Sequence, residues 1–370
     1  MESGEGKITI RFDRTAPGSG AEALCRLENG RVFIEWKFHL VEYSRAQSKK
    51  ITLPDEAGEY DLMEERSRDG ADTYPEFIRL HLTDMRGCPV LECIQLLREE
   101  ETLQSILQRP EFWKADGDPY LYKVEAVLAD EAGNCIDRIS MPLPLRCLER
   151  RIRDGKEELL LNGDVLEARM VRYTLPETGN APQRQQNWTK DLGLMRELGV
   201  NCILLESPAL NPFLQMCDRL GFLVFSTQSD SWEAGSCFGG MEEDRPVPVF
   251  RGSKNSFFVP GRNSPTPLFY RYRAEWSKEP FVYLVPESVK RLNSGNYMVC
   301  CYSSCSRVAL YSDGRVFEFK EGETCFLFRE IPCDKPTILL TAEAEGCTHS
   351  LSIHKSFTKQ SPNYDIYPLE

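Results

Sequence analysis

Asp191–Thr227 reads DLGLMRELGVNCILLESPALNPFLQMCDRLGFLVFST, and its punctuation decides the fold class. Together with the preceding Trp188, residues Leu192, Met195 and Leu198 recur at helical spacing, and Gly199 ends the run. Val200–Leu205 is short and apolar, the pattern of a strand covered on both faces of a parallel sheet. Asn211 is expected to cap a second helix, with Pro212 at its first position. That helix presents Phe213, Met216, Cys217 and Leu220 on one face, and Gly221 stops it. Phe222–Ser226 is the next strand. Strand–helix–strand units of this size require right-handed parallel crossovers. Upstream, Leu159–Leu161 leads through the turn Asn162-Gly163-Asp164 into an expected strand over Val165–Leu175. Downstream, Gln228–Asn255 is rich in Gly, Ser, Pro and charge and reads as loop.

Both flanks of this α/β stretch read as β-structure. Before it, strands are expected over Lys7–Asp13, Arg31–Tyr43, Lys49–Leu53, Phe77–Asp84, Pro89–Leu97, Leu121–Asp130 and Cys135–Pro142, with a short helix over Glu99–Gln108. Alternating strands of this number suggest an immunoglobulin-like sandwich. Glu56–Thr73 reads as an acidic surface excursion. After it, Phe281–Val285, Tyr297–Tyr302, Val308–Tyr311, Arg315–Phe319, Cys325–Ile331, Thr337–Ala342 and Ser350–Lys355 are strand candidates, separated by turn signals such as Asp313-Gly314. The chain is therefore read as multidomain β plus α/β. An immunoglobulin-like sandwich occupies 1–147, a shortened (β/α) barrel-derived core 148–275, and a second immunoglobulin-like sandwich 276–370.

Composition narrows the function classes. With 41% hydrophobic and 28% charged residues the chain is an ordinary globular protein. A net charge of −12 without a basic block argues against nucleic acid or an anionic membrane as partner. No apolar run is long enough to span a bilayer, and the N-terminus lacks the apolar core of a signal peptide. The 14 cysteines have irregular spacing and no C-x-x-C pair, so they read as free thiols in a reducing cytoplasm, with disulfides or zinc as the alternatives. On a strand, the neighbours Cys300 and Cys301 would point to opposite faces. Four histidines and no zinc spacing argue against a metal site. No phosphate loop or dinucleotide fingerprint implies a cofactor.

Four patches, in order, resemble glycoside hydrolase family 2, the β-galactosidase and β-glucuronidase family. Pro110-Glu111-Phe112-Trp113 followed by Asp118-Pro119-Tyr120-Leu121-Tyr122 is similar to a motif near the end of that family's immunoglobulin-like domain. Leu161-Asn162-Gly163 resembles its entry to the barrel. Asp191, Met195 and Glu197-Leu198-Gly199-Val200-Asn201, then Cys217-Asp218-Arg219-Leu220-Gly221, resemble its first barrel repeats. Pro267–Pro280 looks like the exit from the barrel. The resemblance implies a barrel with two catalytic carboxylates about 5 Å apart for a retaining mechanism.

The departures are as informative. A complete barrel takes about 250 residues, and Glu157–Arg273 is less than half of that. The family's acid/base glutamate follows an asparagine, and no Asn-Glu dipeptide occurs in this chain. Pocket positions that hold an Arg and two His in the family are matched by Met170-Val171-Arg172-Tyr173-Thr174 and Leu204-Leu205-Glu206-Ser207-Pro208. The family's N-terminal jelly-roll sugar-binding domain has no clear counterpart in the sequence. Candidate ligand-binding residues are Glu206 after the second strand, and Asp230, Trp232 and Glu233 after the third, where an aromatic flanked by carboxylates suits a sugar. The competing readings are a solvated or helix-capping carboxylate for Glu206 and a Trp covering the open sheet end for Trp232. Cys237, not a serine, occupies the centre of the Gly235–Gly239 run, so this is no serine nucleophile elbow.

The expected function is a non-catalytic carbohydrate-binding or interaction protein of carbohydrate metabolism, a pseudoenzyme of the family. One rival is an active glycosidase with relocated carboxylates drawn from Glu206, Asp230 and Glu233. The other is a structural assembly protein, a homo-oligomer covering the open sheet edge.

Overall fold

The computed structural model describes residues 4–11, 20–28, 31–39, 77–96, 102–115, 117–153, 156–176, 179–208, 210–227, 237–239, 247–252, 256–259 and 264–355. The expected strand Lys49–Leu53, the excursion Glu56–Thr73 and the tail after Phe357 lie outside them. The chain forms two compact units, Met1–Ala168 with Leu175–Thr189 and Leu205–Glu242, and Arg169–Thr174 with Lys190–Leu204 and Glu243–Glu370.

The first unit is built mainly of β1 (Gly4–Arg11), β2 (Gly20–Glu28), β3 (Arg31–His39), β4 (Phe77–Thr83), β5 (Pro89–Leu96), β6 (Thr102–Gln108), β7 (Tyr122–Ala129), β8 (Cys135–Leu143), β9 (Leu148–Arg153), β10 (Lys156–Leu161) and β11 (Asp164–Val165). They make a seven-stranded sheet, order β11-β10-β9-β1-β2-β3-β6, and a four-stranded sheet, order β5-β4-β7-β8. The two sheets share one core, in which Val32 and Ile34 meet Ile78, Leu80, Leu82, Val124, Ala126 and Leu128. Each of these positions is two residues from the next on its strand, so one face is dry.

The helix expected over Glu99–Gln108 is instead strand β6, antiparallel to β3 from Arg31↔Gln108 to Lys37↔Thr102. Ser105 and Leu107 are buried while Ile106 and Gln108 are exposed. That period of two is masked in the sequence by helix-forming Glu, Leu and Gln, and a waiting strand edge overrides local propensity.

The α/β stretch contains β12 (Met170–Tyr173), α1 (Ala181–Leu198), β13 (Cys202–Leu205), α2 (Asn211–Leu220), β14 (Leu223–Ser226), β15 (Cys237–Gly239), β16 (Val249–Arg251), β17 (Ser256–Phe258) and α3 (Pro267–Trp276). Asn180 and Gln183 form a reciprocal capping box at the start of α1, each backbone N–H donating to the other's side-chain oxygen at 3.1 Å. Trp188, Leu192, Met195 and Leu198 are all buried, as their spacing requires. Helix α2 begins one residue earlier than expected. Leu210 is its N-cap and Asn211 already lies in the helix, because Pro212 is tolerated anywhere in the first turn, where N–H groups have no partner. Gly221 ends it at φ 79°, donating its N–H to the Cys217 carbonyl.

In the first unit β14 and β15 pair in parallel. In the second the order is β13-β12-β16-β17, with β12, β16 and β17 paired in parallel. Two expectations are corrected here. The strand expected over Val165–Leu175 is two strands, β11 and β12, separated by Leu166–Arg169. The stretch read as loop, Gln228–Asn255, contains β15 and β16. Three-residue strands carry no readable period; their pairing comes from a neighbour elsewhere in the chain.

The second unit also carries β18 (Val282–Leu284), a 3-10 turn (Pro286–Ser288), β19 (Lys290–Arg291), β20 (Tyr297–Ser303), β21 (Arg307–Ser312), β22 (Arg315–Glu321), β23 (Cys325–Ile331), β24 (Thr337–Ala344) and β25 (Cys347–His354). One sheet has the order β18-β20-β19 with β23 also on β20, and the other β22-β21-β24-β25. Their shared core includes Val299, Cys301, Val308, Leu310, Phe326, Phe328 and Leu340. Every residue of β20 is buried. Its odd positions face this core, while Cys300 and Tyr302 face a second cluster with Ala274 of α3, Phe281 and Val285.

Candidate functional site

The expected sugar-handling groups sit just past strands β13 and β14. Of the four candidates, Glu206 lies among the described residues, half-buried at a bend directly after β13. Asp230, Trp232 and Glu233 lie outside them. The groups beside Glu206 are committed to the backbone. Ser207 Oγ accepts the Leu175 N–H at 3.1 Å. Thr227 turns back onto the end of β13, donating its N–H at 3.1 Å and its Oγ1 at 3.3 Å to the Leu205 carbonyl. A single carboxylate with engaged hydroxyls can accept hydrogen bonds from a sugar. Glycoside cleavage uses a pair of carboxylates, and Glu206 is the one candidate carboxylate among the described residues. Among the described residues no group of three or more His, Cys, Asp or Glu is placed to hold a metal.

In the second unit, the end of β12 faces the helix layer. The Tyr173 hydroxyl donates to Asp191 Oδ2 at 2.9 Å. Arg251, on β16, donates to Asp191 Oδ1 through Nε at 3.0 Å and Nη2 at 2.7 Å. Phe250 packs edge-to-face on Tyr173 at 5.8 Å. The buried carboxylate thus ties α1 to β12 and β16, and Tyr173 is a framework residue. Replacing Asp191 by alanine removes three hydrogen bonds and leaves a partly buried guanidinium. We expect a loss of about 3 kcal/mol, readable as a lower urea midpoint. A midpoint within error of the parent protein would contradict this role. Asn201 serves similarly, its Oδ1 accepting the Arg169 N–H at 2.7 Å just before β12.

The motif residues singled out in the sequence converge on such joints. In the first unit, Trp113 Nε1 donates to the Asp218 carbonyl at 2.7 Å. The Arg146 guanidinium lies 4.4 Å from the Trp113 ring centroid and pairs with Asp218 Oδ1 at 2.9 Å. Asn162 Nδ2 donates to the Trp113 carbonyl at 2.8 Å, and its Oδ1 accepts the Cys147 N–H at 2.9 Å. The Glu111 N–H donates to the Tyr122 hydroxyl at 2.9 Å, and burial pushes that phenol's pKa up. In the second unit, Glu197 pairs with Arg273 at 2.6 Å. Gly199 lies against the Trp276 backbone. Sequence reasoning missed Arg146 and Arg251, since each is a lone arginine in a stretch without a motif.

No protein-family profile matches the chain. Three curated relatives do so over part of its length. A β-glucuronidase of Bacteroides fragilis is 33% identical over 129 residues, covering 34% of this chain and 18% of that protein. The β-galactosidase BoGH2A of Bacteroides ovatus is 30% identical over 135 residues, covering 35% of this chain and 15% of that protein. The matched stretches therefore span less than a fifth of either relative. Among solved structures, an FMN-binding β-glucuronidase from Faecalibacterium prausnitzii L2-6 superposes with a TM-score of 0.61 at 14% identity, covering 95% of this chain and 74% of that one. A β-glycosidase from Bacteroides vulgatus does so with a TM-score of 0.60 at 12% identity, covering 92% and 64%. The likeness to these structures is one of fold.

Proposed function

We propose that this chain, which resembles glycoside hydrolase family 2 in sequence and in fold, is a non-catalytic carbohydrate-binding or interaction protein of carbohydrate metabolism. It is read as an immunoglobulin-like sandwich (1–147), a shortened (β/α) barrel-derived core (148–275) and a second immunoglobulin-like sandwich (276–370). The observation that carries the reading is the parallel pairing of β12 with β16, at Arg172↔Val249, secured by the Arg172 N–H to the Pro248 carbonyl at 2.9 Å. In a full barrel the first strand is flanked by the second and the eighth. Here β13, β14 and β15 are the strands that intervene in sequence among the described residues. That short intervening set supports a core without the strands that would present the acid/base and nucleophile, and the chain has no Asn-Glu dipeptide to supply the first.

The irregular spacing of the cysteines is read as that of thiols in a reducing, cytoplasmic setting. No described helix is long and apolar enough to cross a membrane.

The purified protein is expected to leave aryl β-galactosides and aryl β-glucuronides intact while retaining a defined oligosaccharide on a glycan array. Turnover that disappears in Glu206→Gln would establish an active glycosidase instead. Absence of both turnover and sugar binding would favour the assembly role.

A further inference from the structure

The second unit holds a pair of thiols that the carbohydrate reading does not use. Cys300 lies on β20 and Cys325 opens β23. In the antiparallel register Cys300 is opposite Leu327 and Tyr302 is opposite Cys325. The two cysteines are therefore diagonal neighbours on one face of the sheet, since positions two apart share a face. Their sulfurs are 3.1 Å apart. Neighbouring Cys301 points to the opposite face, into the sandwich core.

Exposure differs sharply between the two. Cys300 is buried at 1% exposure, packed with Ala274, Phe281, Val285 and Tyr302. Cys325 is half-buried at the edge of that cluster. A small solute can meet Cys325, whereas Cys300 meets Cys325. The charge states divide in the same sense. The hydrogen bond from Cys300 and the positive charge of Arg271 hold the Cys325 thiol below its ordinary pKa, against its partial burial. The same hydrogen bond and burial hold Cys300 as a thiol. A partly accessible cysteine whose thiol is shifted toward the thiolate, in sulfur contact with a buried second cysteine, is the arrangement of a redox-responsive pair.

We propose that Cys300 and Cys325 form a reversible dithiol–disulfide modification site whose oxidant is hydrogen peroxide. The Cys325 thiolate attacks one peroxide oxygen, the O–O bond breaks, and the departing hydroxide takes a proton to become water. Cys325 is then a sulfenic acid. Cys300 gives up its proton and attacks the Cys325 sulfur, the S–O bond breaks, and hydroxide leaves as a second water with that proton. Two thiols have lost two electrons, and one peroxide has been reduced to two waters. The disulfide staples β20 to β23 on the face that carries α3, and a dithiol reductant reverses it.

The test uses the full chain. Reduced protein is treated with one equivalent of hydrogen peroxide, alkylated in denaturant, digested without reduction and read by mass spectrometry. The expected result is a Cys300–Cys325 cross-linked peptide, a loss of two alkylatable thiols, and return of both after dithiothreitol. Arg271→Gln is expected to slow formation of the link several-fold. Cys300→Ser is expected to leave Cys325 at the sulfenic or sulfinic stage with no link. Both cysteines fully alkylated after peroxide, or Cys325 linked instead to Cys301, would overturn the proposal. The wild-type experiment decides the matter even if a variant fails to fold, and its outcome is independent of sugar binding.

Discussion

Replacing Gly199 by alanine is expected to destabilise the second unit by about 4 kcal/mol. Two costs combine. Gly199 has φ +82°, where a Cβ costs about 1–2 kcal/mol. A Cβ there would also lie 2.4 Å from the Trp276 carbonyl oxygen and 2.7 Å from its carbon. Neither atom can give way easily. Trp276 is the last residue of α3, and the next N–H, of Ser277, is bonded back to the Arg273 carbonyl at 3.0 Å. Arg273 is in turn paired with Glu197, two residues before the glycine. The clash is therefore between two backbones already joined, and overpacking of that kind costs a further 1–3 kcal/mol or more, by the roughly known scale for filled cores. Gly314→Ala is the internal control. Its φ is +77°, but nothing lies within 4 Å of the added carbon, so about 1 kcal/mol is expected. Urea unfolding followed by circular dichroism separates the two. Equal midpoints for the variants would refute the close approach.

Asp218→Ala in the first unit is expected to cost about 3–5 kcal/mol, because it removes the carboxylate that a buried guanidinium faces. The side chains of Asp218 and Arg146 are 7% and 5% exposed, and their charged atoms are 2.9 Å apart. Arg146→Met should cost a similar amount by removing the guanidinium that faces the buried carboxylate. The double variant Arg146→Met/Asp218→Leu should be more stable than either single variant, since neither buried charge then loses its opposite across the 2.9 Å contact. The Trp113 Nε1 hydrogen bond is kept in these variants, as it goes to the Asp218 main-chain carbonyl. Tryptophan fluorescence during unfolding gives the four midpoints of the cycle. Additive losses would mean that the pair is no unit and that the two residues act separately.

These joints explain what the motif resemblance reports. Trp113, Asn162, Asp218, Glu197, Gly199 and Asn201 all belong to the patches that resemble family 2, and each is engaged with backbone or in an ion pair. The resemblance is therefore carried by packing. Residues that would do chemistry are a separate set, and of the four named from sequence Glu206 alone falls among the described residues. Periodicity exposed α1, α2, β13 and most strands of both flanks, because each is long enough to show a repeat or is bounded by Gly or Pro. It failed at β6, whose residues favour a helix locally, and at β15 and β16, which are too short to show any repeat.

From residue order alone came the alternation of β and α/β segments, the apolar faces of both helices, the glycine stops at Gly199 and Gly221, and the missing Asn-Glu dipeptide. These are local properties, written within a few residues of one another. Only the tertiary structure decided that β16 lies beside β12, that Arg251 reaches Asp191, that Arg146 covers Trp113, and that Cys300 meets Cys325. Each of those pairs joins residues far apart in the chain or on different strands. Its energy depends on burial and distance, and neither quantity exists until the chain has folded.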